Sequence, residues 1–223
     1  MFSSSDDVTD HAGTPSSEGL AAVPYDERFT DSGFAARALS RATVEAVEYA
    51  HAGGWDAAPM LFALAPTSAV EEVYGDFSDD ASPLTLIAQD PLLEEVEGGS
   101  PELADFLART MWPSGVVGAV LVQEILVVAP EDEAQLDELP LADLSLTEVR
   151  QRSDAGIARQ ARLITGVLDA GSSDSGPALT LLQPRPTEAQ IAERGAFAED
   201  DIDLREANGL ADGVIAALRN TFQ

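Results

Sequence analysis

The stretch VVGAVLVQEILVVAP, Val116–Pro130, runs for fifteen residues with a single charge, Glu124. It is β-branched and nearly continuous in its apolar character, and Gly115 and Pro130 bracket it. A segment of this kind is a strand covered on both faces, so it belongs inside a sheet rather than at its rim. The rest of the chain must therefore supply neighbouring strands and a cover for each face.

Strand candidates are easily found. MLFALA lies between Pro59 and Pro66, and LTLIA (Leu84–Ala88) between Pro83 and Asp90-Pro91. ARQARLITGVLDAG and PALTLLQP flank the turn GSSDSG (Gly171–Gly176) and read as a hairpin with a longish loop. Helices announce themselves by period and caps. Asp31 or Ser32 opens one whose apolar face is Ala35, Ala38, Leu39, Ala42, Ala46, Tyr49 and Ala50, and Gly53-Gly54 stop it. Thr67 caps a short helix through Tyr74. Ser100-Pro101-Glu102 starts another, with Leu103, Phe106, Leu107 and Met111 on one face and Trp112-Pro113 at its end. Ser145 with Glu148, and Thr187 with Gln190, are capping boxes of two short helices, the second ending at Gly195. Asn208 caps a terminal helix with the stripe Leu210, Val214, Ile215, Leu218 and Phe222.

Three strands arrive consecutively without long helices between them. That predicts an α+β fold, a mostly antiparallel or mixed sheet of about five strands with helices packed over it. The predicted organisation is an acidic mobile tail, residues 1–33, and one domain, residues 34–223, interrupted by an acidic insert at about 130–157 and an acidic loop at about 186–207.

Charge decides what such a chain avoids. Its formal net charge is −28, every basic residue is arginine, and lysine is absent. Phosphate backbones and anionic membranes should be repelled, so neither nucleic acid nor a membrane is an expected partner. Residues 1–33, 129–158 and 188–206 together carry −17, and the other 141 residues only −11. Acidity so concentrated in appendages argues against salt adaptation and against mimicry of nucleic acid. No run is long and apolar enough to span a bilayer, and the N-terminus MFSSSDDVTDH lacks the marks of a secretory signal. With no cysteine, disulfides and thiolate chemistry are excluded, and the expected location is the cytoplasm.

Catalytic patterns are wanting. His11 falls in the tail, and His51 in the last turn of the first helix, where the helix dipole suits a cation. Ser172, Ser173 and Ser175 sit in a turn, without a nucleophile elbow. Glu131-Asp132-Glu133 and Glu199-Asp200-Asp201-Asp203 lack the spacing of a calcium loop and read as solvated acids. Gly98-Gly99-Ser100 lacks the lysine of a phosphate loop and simply leads into a helix. No catalytic residue, metal site or cofactor is expected.

Two polar side chains interrupt strands. If their strands pair, Glu124 and Arg162 share a face as an ion pair, either lining a cavity or facing water, and the sequence favours water. Trp55 covers an edge of the core, and Asp56 bonds nearby backbone N–H groups in an Asx-turn.

GWD (Gly54–Asp56), Pro59, LFAL (Leu61–Leu64), MWP (Met111–Pro113), VLVQEILV, LITGVLDAG and the terminal LADGVIAALRNTF together resemble a conserved, uncharacterised family of small acidic actinobacterial proteins. The resemblance covers most of residues 34–223. Its motifs are element boundaries, so it implies kinship and no catalytic residues.

Two functions are then in view. The first is a non-enzymatic, cytoplasmic protein-interaction module, monomer or homodimer, whose unknown partner is basic. The second is an enzyme or small-molecule binder with a pocket near Trp55, Asp56, Trp112 and the Glu124/Arg162 pair.

Overall fold

Residues 27–75, 82–92, 96–128, 158–169, 176–195 and 201–223 are described in a computed structural model. The long apolar run forms the strand β3 (Gly118–Val128), third in a six-stranded sheet of order β2-β1-β3-β4-β5-β6. Its companions are β1 (Met60–Pro66), β2 (Leu84–Ala88), β4 (Ala158–Leu168), β5 (Ala178–Pro184) and β6 (Arg205–Glu206). Every adjacent pair is antiparallel. The sixth strand is a two-residue pairing with Leu181 and Leu182, too short to leave a periodic signal, in the segment read as an acidic loop.

Helix α1 (Ser32–Ala52) lies across one face, opposite Phe62, Leu64, Val120, Val122 and Ile164. Its buried stripe is mostly alanine, which brings the helix axis close to the sheet. At Gly166 the approach leaves no room for a side chain, since a Cβ would lie 2.7 Å from Thr43 Oγ1. Helices α3 (Pro101–Arg109) and α5 (Asp212–Asn220) cover the opposite face through Leu103, Leu107 and Leu218, against Leu61, Leu121 and Val167. Helix α2 (Thr67–Tyr74) adds Val70 beside Ala63 and Ile87, and α4 (Glu188–Arg194) follows β5 with the capping box expected at Thr187 and Gln190.

Several local readings change. The 3-10 turn Glu27–Thr30 buries Phe29, so ordered structure reaches back into the segment read as tail. Asp31 caps α1 by accepting the Phe34 N–H at 2.6 Å. Tyr49 lies at the margin of the stripe and is 57% exposed, with Val47 buried in its place. Thr67 is the first residue of α2, and its hydroxyl accepts from Thr85 instead of capping. Met111 lies beyond the end of α3 and is 77% exposed. Asn208 does not cap α5; the helix starts at Asp212, leaving Leu210 outside its stripe. The tail before Glu27, the acidic insert with Ser145 and Glu148, the serine turn, the Glu131–Glu133 run, Glu199 and Asp200 lie outside the described residues.

Candidate functional site

Helix α1 ends at Ala52, but the sheet beneath continues for another row. Register sets the row: Glu124 on β3 stands opposite Arg162 on β4, and Arg162 opposite Gln183 on β5. All three are buried, at 7%, 1% and 2% exposure. The expectation that the Glu124/Arg162 pair faces water is therefore wrong. The reason is a long-range one: the chain leaving α1 folds back over the row.

That lid is Gly53–Ala57. Gly54 takes φ 81° and Asp56 φ 70°, a region that glycine and aspartate tolerate better than other residues. The bend at Asp56 sends its N–H to Glu124 Oε1 at 2.8 Å, with the Ala57 N–H at 3.4 Å. Its carboxylate meanwhile accepts from Arg185 at 2.9 Å and Gln160 at 3.2 Å. Asp56 thus ties strands together, where the sequence suggested a local Asx-turn.

The half-buried Trp55 lies on Arg162, whose guanidinium carbon is 4.1 Å from the ring centre, with that of Arg185 at 5.4 Å. Beneath the ring, Arg162 donates to the Gly54 carbonyl and, at 3.2 Å, to Gln183 Oε1, and its Nε lies 3.8 Å from Glu124. Glu124 Oε2 accepts from Gln160, whose own carbonyl accepts from Arg185 at 2.6 Å. Gln183 Nε2 reaches His51 Nδ1 at 3.2 Å. Because Arg162 can only donate, Gln183 must present its oxygen to it and its amide to His51, so Nδ1 of His51 is the acceptor.

Opposite charges balance in number within the cluster. Two carboxylates, Asp56 and Glu124, offset two guanidiniums, Arg162 and Arg185. Burial pushes the Arg162 proton affinity below its ordinary value, and Glu124 beside it opposes that push. Among the described residues the buried polar side-chain atoms lacking a partner are Thr165 Oγ1 and Arg219 Nε, both outside this cluster. Among them, too, no group of three His, Asp or Glu side chains is placed to hold a metal. Asp201 and Asp203 pair with Arg194 and Arg205 instead, at 3.7 and 2.8 Å.

Four of the five sequence candidates, Trp55, Asp56, Glu124 and Arg162, therefore come together. Trp112 does not. It lies on the other side of the sheet, donating to Thr221 Oγ1 at 2.7 Å with its ring 6.2 Å from Phe222. Gln160, Gln183 and Arg185 were missed. Gln160 shares the face of Arg162 by the period of two, and Gln183 and Arg185 are likewise alternate residues, a signal usable only once β4 and β5 are in register.

A family model described as PPA1309-like protein matches residues 39–223, which contain the whole cluster. No curated protein and no solved structure matches the chain.

Proposed function

The chain belongs to the PPA1309-like protein family, and we propose that it is a non-enzymatic, acidic protein-interaction module of the cytoplasm with a basic partner. One observation carries this reading. The buried polar groups that would have to serve a substrate, Glu124, Arg162 and Gln183, are bonded within the row and to the lid that carries Trp55. An active site needs convergent groups with unused bonding capacity facing a cavity. Here Glu124 accepts two lid N–H groups, Gln160 and the Arg162 charge, which is the bonding pattern of a clamp.

The net charge of −28 supports the choice of partner, since it accelerates encounter with a basic surface and weakens with salt. No helix among the described residues is long and apolar enough to cross a membrane. Capture of partners by the immobilised chain at low and at high salt tests the reading, which expects salt-sensitive capture of basic proteins. A metabolite screen by thermal melting tests it from the other side. A ligand-induced rise in melting temperature that Glu124→Ala abolishes would assign the cluster to a small molecule and refute the proposal.

A further inference from the structure

Resting on that reading, we propose where the partner docks: an extended, cationic segment lies along the outer edge of β2 and inserts one large apolar side chain into a groove beside Tyr49. The groove holds about 260 Å³ between the last turn of α1, the start of β1 and the end of β2. Its walls are Tyr49, Pro59, Met60, Pro91 and Leu92. The volume falls below the roughly 300–1,000 Å³ of small-molecule sites and suits a single anchoring side chain.

Tyr49 is the unusual residue. It is 57% exposed, on a helix whose buried face is mostly alanine, and it stands edge-on to the buried Phe62 ring at 5.4 Å and 82°. A rigid aromatic, half supported and half free, is the type of side chain on which interfaces concentrate their binding energy.

The edge supplies the second contact. Among the described residues no strand pairs with the outer side of β2. Gln89 N–H bonds the Leu61 carbonyl across β1, so by alternation the backbone groups of Leu86 and Ala88 point outward. Ala88 also lines the groove, so edge and groove adjoin. Edge strands are commonly protected by lysine; β2 carries no charge at all.

Charge selects the occupant. Between residues 42 and 108 there are fourteen acids and no Arg or Lys, a span containing α2, β1, β2, the end of α1, all of the groove and α3 up to its last residue, Arg109. Asp90 is an exposed acid in the wall of the groove, and Glu48, the residue before Tyr49 in α1, is exposed as well. An anionic segment is repelled here, and a neutral one forgoes the long-range attraction.

The test uses three fluorescent ten-residue peptides and the full chain. One alternates arginine with leucine and phenylalanine; one has glutamate for arginine; one has serine for the apolar residues. Anisotropy should show binding of the first alone, about tenfold weaker on moving from low to high salt. Tyr49→Ala and Asp90→Arg, both exposed and checked for an unchanged melting curve, should each weaken it by about tenfold. Amide shifts should centre on Ala58–Phe62 and Leu86–Asp90.

Salt-sensitive binding that survives both substitutions, or that maps elsewhere, overturns the groove and leaves the module reading standing. Failure of the chain to bind any cationic polypeptide at low salt overturns both. Self-association lost in Tyr49→Ala would make the face a contact between copies and also overturn the proposal.

Discussion

Replacing Arg162 by methionine separates a clamp from an idle ion pair. Methionine keeps much of the aliphatic bulk but removes the charge opposite Glu124, the donors to Gly54 and Gln183, and the stack under Trp55. Arg162 is 1% exposed and Glu124 7%, so water does not replace what is lost. Breaking a buried pair by removing one partner costs about 3–5 kcal/mol, mostly the burden of the orphaned charge. For a chain of this size that corresponds to a fall in melting temperature of roughly 6–20 °C.

The double variant Arg162→Met/Glu124→Gln removes both charges and leaves an amide oxygen for the Asp56 and Ala57 N–H groups. It should be more stable than Arg162→Met alone, with a coupling energy of about 2–3 kcal/mol. Urea unfolding followed by tryptophan fluorescence supplies the free energies. An Arg162→Met protein within about 1 kcal/mol of wild type would refute the clamp, as would a double variant no more stable than the single one.

Three other outcomes are expected. Gly98→Ala would place a Cβ 2.1 Å from the Glu124 carbonyl oxygen, so it should destabilise by about 1–3 kcal/mol or more in the same assay. The control Gly99→Ala meets nothing within 4 Å and incurs only the strain of its positive φ. Thr165→Val should stabilise by about 1 kcal/mol, because the buried Thr165 hydroxyl has no partner among the described residues and valine has nearly its shape. Nitrogen-detected NMR should find the neutral His51 ring as the Nε2–H tautomer, and Gln183→Leu should remove that preference, since the Gln183 amide imposes it.

The elements were legible where local chemistry sets them. Pro59, Pro66 and Pro83 bracket β1 and β2, Ser100 caps α3 by accepting from Leu103, and Val116–Pro130 contains the inner strand β3. Two strand residues, Glu124 and Arg162, could be named as partners because polar side chains inside apolar runs are conspicuous. Their burial could not be read, because it depends on Gly53–Ala57 crossing a sheet end built from residues 68 to 129 positions away. The sequence places Trp112 in one pocket with Trp55, and the structure puts them on opposite faces of the sheet. The face each occupies depends on which way the connections around α3 pass, and nothing local encodes that.

Tyr49 shows the converse. Its spacing fits the apolar stripe, but Val47 and Ala50 meet the sheet and leave Tyr49 at the margin with Phe62. The two-residue β6 had no pattern to detect.

Hydrogen exchange at the Asp56 amide is the most direct test of the clamp. This N–H lies in a loop, yet it donates to buried Glu124 at 2.8 Å. If the lid is locked to the sheet, the amide opens only with the whole domain and exchanges about 10³-fold or more slower than an unprotected amide. Exchange near the unprotected rate, with β3 amides still slow, would show a lid that opens on its own and a polar row available to ligands.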